Sequence, residues 1–131
     1  MRGHTQTRMK YAIFCYDSEA AVSAWSKEKD DQVMEQLGHV TGKLAAEKRL
    51  GPVTRLGPTK AARTVRKGAE PLIIDGPFAE TKEQLLGFYV VECASIEAAI
   101  EVAKELARAS GSAGAFEIRP MQYYDPGSGI S

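Results

Sequence analysis

Ionisable side chains crowd one stretch of this 131-residue chain, Asp75-Gly76-Pro77-Phe78-Ala79-Glu80-Thr81-Lys82-Glu83-Gln84-Leu85. A carboxylate beside an imidazole is the simplest acid–base couple: the carboxylate orients the ring and raises its basicity, and the ring moves a proton near neutral pH. The chain holds two histidines, His4 and His39. His4 sits in a polar N-terminal stretch, which leaves His39 as the internal imidazole, and Asp75 heads the crowded stretch. The bland alternative is that Asp75 accepts backbone amides of its own turn and His39 is an exposed helix residue. Glu80, Lys82 and Glu83 are candidate ligand contacts, or else a surface salt-bridge cluster. Tyr89 and Arg119 lie on predicted strands that would line the same cavity. Arg119 precedes Pro120 at a strand end, where a guanidinium suits a carboxylate ligand.

Other chemistry finds less support. Cys15 and Cys93 fall in predicted strands, read as small apolar side chains rather than nucleophiles. Neither has a His near it in sequence. The spacing of His4 and His39 matches no metal motif, so no metal and no cofactor is expected. Arg55, Lys60, Arg63, Arg66 and Lys67 are either solvated charge on edge strands or an anion-binding patch.

The elements that must position these residues follow from periodicity. Tyr11–Tyr16 is a strand apolar on both faces, which asks for cover on both. Asp17–Trp25 reads as a loop or short helical turn in which Trp25, the only Trp, packs the loop or closes a pocket. Val33, Leu37, Val40 and Leu44 recur at helical spacing and predict a helix over Lys27–Arg49, stopped by Gly51-Pro52. His39 lies about 120° from the centre of that apolar stripe. Thr54–Leu56, Ala62–Arg66 and Leu72–Ile74 predict a meander. Thr81 and Gln84 have capping-box spacing and predict one helical turn. Leu85–Cys93 is the central strand, with Gly87 marking a bulge or close approach. Ser95 caps a second helix over Ile96–Ala109, and Phe116–Met121 is the last strand.

The run DGPFAETKEQLLGFYVVE, residues 75 to 92, resembles the signature of the YCII-related family, in the subgroup named after its DGPF motif. Weaker similarity runs from Met9 to Pro120. The resemblance implies a ferredoxin-like fold and a homodimer more sharply than it implies a reaction. It also implies a His–carboxylate dyad of the kind proposed for similar proteins, here with Asp75 of the motif as the carboxylate and His39 as the imidazole, and an association of some members with extracytoplasmic-function sigma factors.

The element order, β-α-β meander-α-β, independently suits an α+β, split β-α-β arrangement with one antiparallel sheet and both helices on one face. Strands apolar on both faces then leave one face uncovered, and a second copy of the chain is the simplest cover. A dimeric α/β-barrel assembly joined through the sheet face is the expectation.

Composition bounds the rest. Apolar residues are 44% and charged residues 26%, with 17 basic against 17 acidic side chains. Zero net charge argues against a protein held to nucleic acid by phosphate contacts, and no predicted helix pair resembles a DNA reader. No apolar run nears the ~20 residues of a membrane span, and no signal peptide is visible, so a cytoplasmic protein is expected. Residues 1–8 read as a disordered lead-in, 9–124 as one domain and 125–131 as a flexible tail, with the natural start at Met1 or Met9. Two function classes stay open: a small acid–base enzyme (lyase, isomerase or hydrolase type) acting on a small, perhaps anionic, organic molecule, and a non-catalytic ligand-sensing or regulatory module.

Overall fold

The computed structural model describes residues 8–130; the lead-in expected over residues 1–8, with His4, lies outside the described residues apart from Arg8. The elements in chain order are β1 (Met9–Asp17), α1 (Glu19–Ser23), α2 (Lys27–Ala46), β2 (Leu50–Arg55), β3 (Arg63–Arg66), β4 (Leu72–Asp75), β5 (Gln84–Cys93), α3 (Ile96–Ser110) and β6 (Ala115–Pro120), with a single 3-10 turn over Thr59–Ala61. It is an α+β protein, with three α-helices among the described residues. Its main sheet has the order β2-β5-β1-β6, and every pairing is antiparallel.

The two central strands are the two most apolar stretches. β1 and β5 run antiparallel with Ile13 opposite Tyr89 and Phe14 opposite Phe88. Because side chains alternate across a strand, Tyr11 and Ile13 share one face with Tyr89, Val91 and Cys93. On that face they form the core with Leu44 of α2 and Ala99, Val102, Ala103 and Leu106 of α3. α3 is fixed at both ends: the Ser95 hydroxyl accepts the Ala98 amide at 3.1 Å, and Gly111 takes the left-handed conformation, φ 65°. The opposite face carries Ala12, Phe14, Phe88 and Val90, with the Phe14 and Phe88 rings edge to face at 6.3 Å. No helix covers it.

α2 starts where expected, with the Ser26 hydroxyl accepting the Lys29 amide at 3.0 Å. It stops at Ala46, earlier than the Gly51-Pro52 signal suggested. Lys48 turns left-handed, φ 58°, its amide bonds to the Ala45 carbonyl at 3.0 Å, and the Arg49 amide bonds to the Leu44 carbonyl at 2.8 Å. This is a Schellman ending with lysine in the place glycine usually fills. Gly51 and Pro52 instead fall inside β2, at a register shift between Leu50 and Val53. An edge strand tolerates the missing amide of a proline there.

The meander also departs from expectation. β3 and β4 leave the main sheet and pair only with each other, Arg63 opposite Asp75 and Arg66 opposite Leu72. This hairpin carries Val65, Leu72, Ile73 and Ile74 in exposed positions, Ile73 at 69%. The helical turn expected from Thr81 and Gln84 is absent. The Thr81 hydroxyl donates to the Glu83 carbonyl and the Gln84 amide to the Thr81 carbonyl at 2.6 Å, which holds an irregular corner leading straight into β5. Among the described residues no helix is long and apolar enough to cross a membrane.

Candidate functional site

The N-terminal half of α2 does not close on the sheet. Only Leu44 of its apolar stripe is buried, while Val33, Met34 and Leu37 border a cavity of about 290 Å³ between α1, α2 and the ends of β1, β2 and β5. Trp25, in the short link between α1 and α2, forms part of the wall. Two backbone approaches shape the floor. At Gly87 a methyl group would overlap the Thr54 carbonyl of β2, and next to it β1 and β5 shift register between Cys15 and Tyr16. The close approach expected at Gly87 is thus real. At Gly114 a methyl group would overlap the Tyr16 carbonyl and the Asp17 side chain, so the turn after α3 lies directly on the end of β1.

Few polar groups face this apolar space, and they are unusually placed. Asp17 is 7% exposed and is the one buried charged residue among the described residues. One of its oxygens, Oδ1, accepts the Ser18 amide at 2.9 Å, and among the described residues no donor reaches Oδ2. Tyr89 is buried and its ring meets Phe116 edge to face at 6.2 Å, yet among the described residues its hydroxyl has no hydrogen-bond partner. Cys15 completes the inner group, and Arg55 stands nearer solvent, gripping Asp30 through Nη2–Oδ1 at 2.9 Å and Nη1–Oδ2 at 3.4 Å.

Burial pushes the Cys15 thiol up to about 11, with the Asp17 carboxylate adding to the rise and Arg55 opposing it. Burial likewise pushes the Tyr89 phenol up to about 12, with Cys15 adding and Arg55 opposing. Both are neutral at physiological pH, so Cys15 is no thiolate nucleophile and Tyr89 is a hydrogen-bonding hydroxyl. Hydrogen bonding to Asp30 raises Arg55 above its ordinary value. The cavity can therefore seat an apolar body and satisfy a polar head at Asp17 and Tyr89.

The residues singled out from sequence are scattered by comparison. Tyr89 lines this cavity. Arg119 is exposed and stands opposite Ala12 in the β1–β6 register, which puts it on the sheet face away from the helices and from Tyr89. The sequence had placed these two in one cavity; strand alternation separates them. Lys82 and Glu83 border a second, open depression with Tyr16, Thr81 and Ala115, and Glu80 is exposed beside it. His39 is exposed on α2. Asp75 has an 89% exposed side chain and pairs with Arg63 Nε at 3.2 Å across the hairpin, rather than with amides of its own turn. Among the described residues no hydrogen bond or ion pair joins His39 to Asp75, and neither borders the cavity.

The motif nevertheless acts on the cavity through one side chain. Gln84 Oε1 accepts the Glu19 amide at 2.9 Å. The Glu19 carboxylate in turn accepts the Thr59 amide at 2.7 Å and the Thr59 hydroxyl at 2.6 Å. α1, which roofs the cavity, is thereby tied to the corner on one side and to the 3-10 turn on the other. Sequence reasoning missed Asp17, Asp30 and Arg55 as cavity residues. The available signal was an aspartate closing an otherwise apolar strand, one residue before a helix-capping serine.

The YCII-related domain matches residues 9–123. A protein of Rhizobium meliloti (strain 1021), itself called uncharacterized, is 52% identical over 120 residues, spanning 91% of this chain and 97% of that one. With matches of that extent laid over the fold and cavity just described, the chain belongs to the YCII-related family.

Proposed function

We propose that this protein binds a small, largely apolar organic molecule in the cavity under α1 and α2, with Asp17 and Tyr89 holding its polar end. The observation that carries the proposal is the pair of buried polar groups that face an apolar space with hydrogen-bonding capacity unused. An unsatisfied buried polar group costs about 1–3 kcal/mol, and a protein that has two facing one cavity has a ligand-sized reason to keep them. Trp25 on the wall supplies the test. Addition of small apolar alcohols, amines and acids to the protein should shift Trp25 emission for at least one class, and Tyr89→Phe should weaken that response. A flat response across all classes overturns the reading.

Ligand sensing is the function this geometry supports best, and it accords with the regulatory role near extracytoplasmic-function sigma factors that the DGPF-subgroup resemblance implies. The acid–base reading has one observation in its favour, a carboxylate and a phenol bordering the same cavity. It then rests on Asp17 and Tyr89, whereas a His39–Asp75 couple requires those two residues to be brought together. For the fold, the sheet order β2-β5-β1-β6 with helices packed on one face supports a ferredoxin-like split β-α-β unit. The half-buried Phe14 and Phe88 on the helix-free sheet face and the exposed apolar hairpin support a homodimer of the dimeric α/β-barrel kind, since an isolated two-stranded hairpin is at best marginally stable in water. Light scattering checks this: the wild type should run as a dimer and Ile73→Glu should shift it toward monomer.

A further inference from the structure

We infer that the ligand's polar head is a protonated amine rather than an anion; this rests on the cavity being a ligand site and adds the charge it selects. Three charged side chains border the cavity, Asp17, Asp30 and Arg55. Arg55 is already held by both oxygens of Asp30, at 2.9 and 3.4 Å. An anionic ligand could take Arg55 only by displacing Asp30, and would then lie against two carboxylates.

Asp17 is the charge left over. It is 7% exposed, its Oδ1 takes a single backbone amide, and its other oxygen has no donor among the described residues. Buried carboxylates need a matching charge or several hydrogen bonds, and among the described residues Asp17 has neither. The Cys15 sulfur near it stays a neutral thiol, and the Tyr89 hydroxyl oxygen, an acceptor as well as a donor, borders the same cavity. An ammonium carries three donors and no acceptor, which fits one carboxylate oxygen, one phenol oxygen and one weak sulfur acceptor. Apolar side chains from Val33, Met34, Leu37 and Trp25 then accommodate an aryl or alkyl body. The class selected is a primary arylalkyl- or alkylamine of modest size.

Three probes of nearly one shape separate the possibilities: 2-phenylethylamine, 2-phenylethanol and 3-phenylpropionate, each titrated into the protein at pH 7 with Trp25 emission and ligand-observed NMR as readouts. The amine should bind at least about tenfold tighter than the other two, the scale of one charge-assisted hydrogen bond. Asp17→Asn should bring the amine down to the alcohol's affinity. Arg55→Gln should strengthen the amine, because it removes a nearby cation. Equal binding of amine and alcohol, or tightest binding of the propionate, overturns the amine assignment while leaving the cavity as a ligand site. No binding by any of the three, with toluene and indole also silent, overturns both. Should Asp17→Asn fail to fold, the ranking of the probes on the wild type and the Arg55→Gln result still decide.

Discussion

Two regions of the molecule meet at the start of β5 and treat their charged residues in opposite ways. On one side is the cavity, where Asp17 and Tyr89 are buried with hydrogen-bonding capacity unused among the described residues. On the other is the hairpin and its corner, where Asp75 is exposed and paired to Arg63, Ile73 is 69% exposed and Phe78 74% exposed. The most distinctive stretch of sequence is the exposed one. A distinctive motif therefore need not mark where a ligand sits. In this chain it marks an anchoring device: Gln84 holds α1 by the Glu19 amide, and α1 roofs the cavity. The hairpin arm is left free to meet another surface, with the Arg66 guanidinium over the Phe78 ring at 5.5 Å lending the corner its own local order.

The same substitution made in both regions breaks the comparison most sharply. Gly114→Ala puts a methyl group into the Tyr16 backbone and the Asp17 side chain, and backbone cannot yield as a flexible side chain does. About 3 kcal/mol or more of stability should be lost, read as a large fall in the urea midpoint. Gly76→Ala meets nothing within 4 Å and suffers only from its φ of 95°. Its cost should be about 1 kcal/mol. Equal effects at the two sites would mean that the hairpin corner is packed as tightly as the floor of the cavity.

Gln84→Ala comes next. It removes the acceptor for the Glu19 amide and the donor to the Thr81 carbonyl, with an expected loss of about 1–2 kcal/mol. The informative readout is local. Trp25 emission should shift toward that of exposed indole while the hairpin is unaffected, and hydrogen exchange should quicken in α1 before it does in β1. An unchanged α1 would cut the link between the motif and the cavity.

How far these regions could be read from sequence follows from the kind of signal each residue leaves. The two central strands and both long helices are spelled out by periodicity, and α3 begins at Ser95 and ends at Gly111 by ordinary capping chemistry. The end of α2 was misplaced because the left-handed position holds Lys48, a residue that gives no such signal. The hairpin was assigned to the main sheet because pairing partners of short strands depend on long-range packing, which local pattern does not encode. The cavity was invisible for a related reason. Val33 and Leu37 have the same apolar periodicity whether they fill a core or border a void. Asp17 and Tyr89 are each legible as residue types, but their place on one cavity depends on the register of β1 against β5 and on the bulge beside Gly87.

Alkaline titration sharpens the contrast between buried and exposed groups. Cys15 and Tyr89 stay protonated in the folded protein to about 11 and about 12, whereas the unfolded chain loses these protons nearer 9.0 and 10.0. The unfolded state therefore binds fewer protons between these limits, and stability must fall as pH rises. The contribution is complete below pH 9 and disappears through pH 12. Tyr89→Phe should flatten the upper part of that decline, measured by urea midpoints from pH 8 to pH 11.5. In the native protein at pH 8, Cys15 should react with a thiol reagent far more slowly than free cysteine does.

The smallest effect belongs to the residue that sequence made most prominent. Asp75→Asn removes one exposed ion pair with Arg63, and exposed pairs contribute about 0–1 kcal/mol. Stability should barely change, and the small loss should vanish at high salt, because screening already weakens such a pair. Ligand response at Trp25 should not change at all, since Asp75 does not border the cavity. If the acid–base couple is the working chemistry, the substitution has a second signature: the ring resonances of His39 should move at fixed pH when the carboxylate is lost. Stationary His39 resonances together with an intact Trp25 response would leave Asp75 as a hairpin residue and Asp17 as the carboxylate that meets the ligand. A moved His39 signal would instead require the arm and α2 to come together, within one chain or across two, and would return the chemistry to the corner.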